Sequence, residues 1–254
     1  MDGLIGHTGF VGSNLMLSHD FDKTYNSKNI DNIASEEFDL VVCAAPQAVK
    51  WWANKHPEED KAAITRLTGA LQKVNAKRFV HLSTVDVFPV LQGVDESFDC
   101  HSQDNHAYGR HRLELEDAIT QMFDSVNILR LPALFGKGLK KNVIFDLLNG
   151  NMLDAINPAS SFQWYPLAHL WGDIQTLVEN EIELCMLATE PITTGAVLER
   201  FFPEVDVGAQ AGEAHYDVHT RYAHLFDKAD DYMMNNAEVL AALGLYVIRE
   251  RANL

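Results

Sequence analysis

The chain has 254 residues, is 47% hydrophobic and carries a formal net charge of -16, so it can bury one large core, or one core plus a small lobe. The acidic balance excludes a general nucleic-acid-binding surface, and no run reaches the roughly 18–20 uncharged apolar residues of a membrane span. With neither the basic start nor the long apolar run of a signal peptide, a cytoplasmic protein with no membrane or nucleic-acid partner is expected.

A short apolar run ends at Ile5 and enters Gly6-His7-Thr8-Gly9-Phe10-Val11-Gly12. Glycine turns sharply and has no side chain to hold a pyrophosphate off the backbone, and a helix over 11–18 would aim its amino end at the phosphates. Three glycines also occur in turns without a ligand, but the place of this run between a strand and a helix makes Gly6, Thr8, Gly9, Phe10, Val11 and Gly12 candidates to hold a dinucleotide. Residues 23–27 read as a short strand whose end reaches the adenosine ribose. There the chain offers Asn26, Ser27 and Lys28 in place of an acid for the ribose hydroxyls. Lys28 suits a 2′-phosphate and hence NADP; Asp31 is close enough to serve NAD instead. The glycine run resembles the cofactor turn of the extended short-chain dehydrogenase/reductase family, the nucleotide-sugar epimerases, dehydratases and reductases. Further segments similar to that family follow in order to about residue 180.

Residues 38–45 form an apolar run of strand length, as in a strand covered on both faces. Ala44, Ala45 and Pro46 at its end are small enough for a dinucleotide to lie against, and the resemblance gives them that role. Trp51 and Trp52 fall in the loop beyond, as a pocket wall, a core anchor or a dimer contact. Pro57 and the acids Glu58, Glu59 and Asp60 start a helix, with Ala63, Leu67, Leu71 and Val74 as its apolar stripe. The next strand, 78–82, runs into Ser83-Thr84-Val85-Asp86-Val87-Phe88, at a carboxyl end where doubly wound sheets bind ligands. This is similar to the family's S-[ST]-x-x-V-Y run. The resemblance makes Thr84 the group that holds the reacting oxygen, with Ser83 behind it beside the cofactor and Asp86 toward the substrate; an acid pair directly after the hydroxyl, as in dehydratases, is absent.

Tyr108 and Arg112 lie four apart in a helix-forming run, hence on one face. They resemble the family's Y-x-x-x-K motif, which implies that Tyr108 moves a proton and that the cation binds the nicotinamide ribose and lowers the tyrosine pKa. Arginine replaces the lysine: it keeps a fixed charge but does not readily release a proton. A strand over 126–131 ends at Pro132, assigned to the cofactor by resemblance. Lys137, Lys140, Lys141 and Asn142 follow, reading as either an anion site or a solvated loop; the resemblance favours the diphosphate of a nucleotide sugar. Trp164, in the aromatic run 162–165, borders the sugar pocket by resemblance or belongs to the core. A helix over 167–178, a strand over 184–188 and a helix over 194–201 complete the chain, the last two in a small lobe. His215, His219 and His224 have a spacing that suits a metal only on a helix. Cys43, Cys100 and Cys185 are widely separated, arguing against a disulfide framework or a clustered metal site, and no metal is expected. No repeat or linker appears, so the second lobe is woven into the first.

These observations predict an α/β protein: a Rossmann-type doubly wound parallel sheet, residues 1–135, with a small interwoven C-terminal α+β lobe, residues 136–254, binding substrate. The resemblance implies a homodimeric oxidoreductase or epimerase that uses NADP or NAD on a nucleotide-linked sugar or another small carbonyl or hydroxyl substrate. Arg112 motivates the alternative, a dinucleotide-binding sensor or scaffold without turnover.

Overall fold

The computed structural model describes residues 1–253, apart from the side chain of Ser35. Its first strand, β1 (Asp2–Ile5), leads through the glycine turn into α1 (Phe10–Leu15). This helix stops short of residue 18 because the amides of Leu17 and Ser18 bond three residues back, to Asn14 and Leu15, tightening the chain. Strand β2 (Lys23–Tyr25) also ends early. The Asn29 side chain takes the amide of Asn26, and the Asn26 side chain that of Lys28, folding a polar turn where the ladder would have continued.

Strand β3 (Glu37–Cys43) is followed by α2 (Lys50–Lys55), which takes up the two tryptophans expected in a loop, and by α3 (Pro57–Leu71). The buried stripe of α3 is Asp60, Ile64, Leu67 and Leu71. Ala63 faces solvent, so the expected stripe is shifted and an acid occupies an inward position. There follow β4 (Asn75–Thr84), β5 (Gln92–Val94), α4 (Ala107–Met122), β6 (Val126–Leu131), β7 (Ala133–Phe135) and α5 (Val143–Asn149). The remainder comprises β8 (Ser161–Phe162), β9 (Trp164–Pro166), α6 (Leu170–Glu179), β10 (Leu184–Met186), β11 (Ile192–Thr193), α7 (Thr194–Phe201), β12 (Asp217–Val218) and α8 (Asn236–Arg251).

The six strands of the main sheet run parallel in the order β10-β6-β4-β3-β1-β2. The chain leaves β1 for β2 on one side and returns to β3 on the other, so the strand order reverses there. Loops beyond the carboxyl ends diverge at such a point and leave a crevice for ligands. This is the doubly wound Rossmann-type architecture that the alternation of apolar runs and helices leads one to expect.

Two compact units make up the chain. The first, Met1–Val90 with Ser97–Leu131 and Ala168–Met186, holds the six-stranded sheet, α1 to α4 and α6. Within it Ile5, Val41, Cys43 and Phe79 pack with Ile64, Leu67 and Leu71 of α3 and with Leu115 and Ile119 of α4. Each such side chain contributes about 1.5–3 kcal/mol by leaving water. The second unit, Leu91–Glu96 with Pro132–Leu167 and Leu187–Leu254, holds the pairs β5–β12, β7–β9 and β8–β11 together with α5, α7 and α8. Expected in the small lobe, β10 instead pairs in parallel with β6, Cys185 opposite Leu129, and closes one edge of the main sheet. Among the described residues no helix is long and apolar enough to cross a membrane.

Candidate functional site

The glycine turn is fastened to both neighbouring strands. The Gly6 amide donates to the Tyr25 carbonyl at 2.7 Å and the Ala44 amide to the Ile5 carbonyl at 2.8 Å. Gly6 has φ +89°, and a Cβ there would press on the Ala44 carbonyl at 2.7 Å. At Gly12 a Cβ would fall inside the van der Waals surface of the Gly6 carbonyl, whereas at Gly9 it meets only the Gly6 oxygen, at 3.3 Å. Two glycines therefore shape the turn and the third leaves a hollow that a side chain would fill. Thr8 and Gly9 are exposed around it, and Phe10, Val11, Ala44, Ala45 and Pro46 are half-buried. The cradle fits the phosphates of a dinucleotide. Gly9→Val is expected to weaken dinucleotide binding at least about 100-fold with little loss of stability, while Gly12→Ala costs about 1–3 kcal/mol of stability through overpacking. Calorimetry and thermal melts check both, and undiminished binding by Gly9→Val would place the dinucleotide elsewhere.

Beside this turn the loop after β2 presents Asn26, Ser27 and Lys28, with Lys28 exposed. Arg66 of α3, unforeseen in the sequence, donates from Nη2 to the Ser27 carbonyl at 3.0 Å and brings a second cation to the loop.

At the carboxyl end of β4 the two hydroxyl residues face different partners. Ser83 is turned into the interior, where its hydroxyl donates to Glu116. Glu116 in turn accepts from Arg130 Nη2 at 2.7 Å and Nε at 3.2 Å, and Arg130 Nη1 lies 3.4 Å from Cys100 Sγ. The Ser83 side chain, expected beside the cofactor, is thus tied into a buried network. Thr84 instead lies beside the phenol of Tyr108 and lowers its pKa, and its hydroxyl accepts from the Asp86 amide at 3.1 Å. Gly109 makes this approach possible, because a Cβ there would collide with the Asp86 carbonyl and the Asn105 side chain. Asn105 Nδ2 donates to the carbonyls of Asp86 and Val87 at 3.0 and 2.9 Å, His106 caps α4 by accepting from the Gly109 amide, and Lys50 Nζ meets Asp86 Oδ1 at 2.7 Å.

Tyr108 is 5% exposed, and burial pushes its phenol up to about 12; Arg112 pulls it down, Asp86 adds to the rise, and the Thr84 hydrogen bond and Lys50 lower it. The sequence leads one to expect a net lowering by Arg112. That pull exists, but burial outweighs it. Arg112 is itself buried: Nη1 pairs with Asp60, Nη2 donates to the Gln47 carbonyl at 2.9 Å, and the guanidinium lies 4.1 Å from the centroid of the Tyr108 ring. His111 Nδ1 shares Asp60 at 2.8 Å. Both terminal nitrogens of Arg112 are therefore engaged within the protein, where the resemblance implied a contact with the nicotinamide ribose. Close to this cluster His81 is buried with no hydrogen-bond partner on either ring nitrogen, and burial pushes it down to about 4, so it is neutral.

The remaining candidates lie in the second unit. Pro132 is buried, and Lys137, Lys140 and Lys141 are exposed in the loop before α5. Asn142 is engaged locally, accepting from the Phe145 amide at 3.1 Å as the cap of α5 and donating to the Leu134 carbonyl at 2.9 Å. Trp164 is 1% exposed and packs beside Phe162, which makes it core. A hollow of about 250 Å³ is lined by Val143, Asp146, Met152, Ile156, Phe162 and Ala214. The segment of His215 and His219 is extended at β12, so helical spacing does not apply to it. Among the described residues no three His, Cys, Asp or Glu side chains are grouped to hold a metal ion.

The model of the NAD dependent epimerase/dehydratase family matches residues 17–156. Among curated proteins none matches. Similar solved structures include dTDP-4-dehydrorhamnose reductase from Bacillus anthracis in complex with NADP, 15% identical, covering 98% of each chain with a TM-score of 0.73. MoeE5 in complex with UDP-glucuronic acid and NAD is 16% identical over 100% of this chain and 99% of that one, with a TM-score of 0.75. UDP-N-acetylglucosamine 4-epimerase from Methanobrevibacter ruminantium, in complex with UDP-N-acetylmuramic acid, is 14% identical over 100% and 98%, with a TM-score of 0.74. At these identities the likeness establishes the fold.

Proposed function

The chain belongs to the NAD dependent epimerase/dehydratase family, and from that premise we propose an NAD(P)-dependent enzyme that reduces, or epimerises through, a keto group on a nucleotide-linked sugar. The observation that carries the reading is the Tyr108 phenol set beside Thr84 at the carboxyl end of β4, its ring lying 4.1 Å from the Arg112 guanidinium. Thr84 and Tyr108 hold the reacting oxygen, and Tyr108 gives its proton to that oxygen. A phenol held near 12 is protonated at neutral pH, which favours reduction as the working direction. A nicotinamide dinucleotide held by Gly6, Thr8, Gly9, Phe10, Val11, Gly12, Ala44, Ala45 and Pro46 would supply the hydride that the carbonyl carbon accepts.

In the second unit Lys137, Lys140 and Lys141 carry the charge that a diphosphate requires, and the hollow bounded by Phe162 and Asp146 has the apolar wall and single acid that suit a nucleoside. Structures of similar fold bind such ligands, UDP-glucuronic acid with NAD in one and NADP in another. The three cysteines, all free and buried, accord with a reducing compartment, the cytoplasm.

Nucleotide-linked keto sugars offered with NADPH or NADH are expected to be reduced, followed as loss of nicotinamide absorbance. A protein that binds dinucleotide yet turns over no member of such a panel is the sensor, the second reading, which the engagement of Arg112 with Asp60 supports. With no acid at Asn26 or Ser27 and with Arg66 beside Lys28, NADPH is the expected preference. Lys28→Ala should lower the NADPH-to-NADH affinity ratio by about two- to fivefold, as for an exposed ion pair of roughly 0.4–1 kcal/mol; an unchanged ratio removes Lys28 from the cofactor site.

A further inference from the structure

We propose that the outer face of α8 is a self-association surface, on which a second copy of this chain docks with its own α8 antiparallel to the first. Helix α8 has 16 residues and starts from a full capping box, Asn235 with Glu238, which makes a cylinder about 24 Å long. Val239, Leu243 and Val247 recur every four residues and are buried. The opposite face carries Ala237, Ala241, Leu245 and Ile248, all exposed and spaced by three and four residues, so they form a second apolar stripe. Leu245 and Ile248 are 70% and 69% exposed, more than any other large hydrophobic side chain among the described residues. A helix that is apolar on two opposite faces is normally covered on both. Here the chain covers only the inner one.

The stripe is graded along its length, and the grading fits its own reverse. Its amino half has the small side chains Ala237 and Ala241, and its carboxyl half the large ones, Leu245 and Ile248. About a two-fold axis level with Leu243, Leu245 of one copy falls over Ala241 of the other and Ile248 over Ala237, so each bulky side chain meets a small one. A parallel pairing would instead set leucine on leucine and alanine on alanine. Charge agrees with the antiparallel order. At the edge of the same face Glu238 stands near the amino end and Arg249 near the carboxyl end, and reversal brings Arg249 alongside Glu238, which is 42% exposed beside its partner Lys228. The two helix dipoles then oppose each other. A protein of net charge -16 repels its copies at long range, so self-docking requires an apolar patch with little charge of its own, and this stripe is one. A contact along one helix face is smaller than the ~1,200 Å² of a standard interface, which makes the dimer a weak one.

Sedimentation velocity of the full chain should show a monomer–dimer equilibrium with a midpoint of about 10–100 µM, and added salt should tighten it by screening the self-repulsion. Leu245→Glu and Ile248→Glu should each weaken the dimer about tenfold or more by placing a charge in the contact. Their thermal melts should match the parent's, because both side chains already stand in water. Ala241→Leu should weaken the dimer as well, by filling the space that Leu245 of the second copy needs, whereas a patch without register would gain from the added apolar surface. Mild oxidation reads the register directly. A chain carrying Ala241→Cys together with Leu245→Cys should cross-link to a dimer, while Ala237→Cys alone, about 18 Å along the axis from its copy, should not; the three native cysteines are buried. A dimer indifferent to both glutamates or strengthened by Ala241→Leu, or a cross-link at Ala237→Cys, overturns the inference. A chain that stays monomeric up to about 500 µM, well above that midpoint, leaves the stripe to a different partner and overturns it too.

Discussion

A Tyr108→Phe protein is expected to bind dinucleotide as the parent does and to lose about 100- to 10,000-fold in kcat, the usual worth of a positioned general acid. The change removes one oxygen and little else. The phenyl ring keeps its place under the Arg112 guanidinium, 4.1 Å from its centroid, and Thr84 keeps its bond from the Asp86 amide. Packing and charge around the site therefore survive, and the loss reports the phenol alone. Two pH dependences should vanish with it. Reduction by the parent needs the protonated phenol and fails as pH rises toward its value of about 12. Because the folded value lies above that of about 10 in the unfolded chain, the parent also holds a stability contribution below pH 10 that is lost as pH rises through 12. A variant whose kcat stays within about threefold of the parent on an identified substrate would show that Tyr108 is not the acid.

Glu116→Ala is expected to be the most destabilising change in the first unit, at about 3–5 kcal/mol, because it leaves the Arg130 guanidinium buried without its anion. Arg130 and Glu116 are 5% and 4% exposed and are joined by three charge-assisted bonds. For a protein of this size the loss corresponds to a fall in Tm of roughly 6–20 °C. Replacing both members with leucine removes the orphaned charge together with the bonds, so the double variant should recover much of the loss. A thermal melt of the single variant within about 1 kcal/mol of the parent would mean that the network does not hold β6, α4 and Ser83 together.

The sequence carries the frame of the molecule because the frame is local. Strand-length apolar runs, glycines packed three apart, and a tyrosine and arginine one helical turn apart are all visible over a few residues, and they give β1, the cradle and the face of α4 that carries Tyr108. Gly109 was equally readable, immediately after the tyrosine, yet its reason lies in the Asp86 carbonyl more than twenty positions earlier. Asp60 shows why the rest was hidden. In a first helical turn an acid is explained by the dipole, but at i, i+4 and i+7 with Ile64 and Leu67 it falls on the inward stripe. Its partners His111 and Arg112 lie about fifty residues downstream, and only tertiary packing brings them together. The same holds for Lys50 with Asp86 and for β10, whose three residues join the main sheet through their ladder with β6.

The engagement of Arg112 also bears on how this chain changes over descent. One guanidinium satisfies two acceptors, the Asp60 carboxylate and the Gln47 carbonyl, from two separate nitrogens. Lysine has a single nitrogen at its tip, so the exchange at position 112 alone keeps the Asp60 pair but gives up the second bond, leaving the carbonyl of the exposed Gln47 to water. Exchanging Asp60 first strands the guanidinium instead. Each single exchange therefore weakens the pair, which ties the cation at 112 to the acid at 60 through their shared contact.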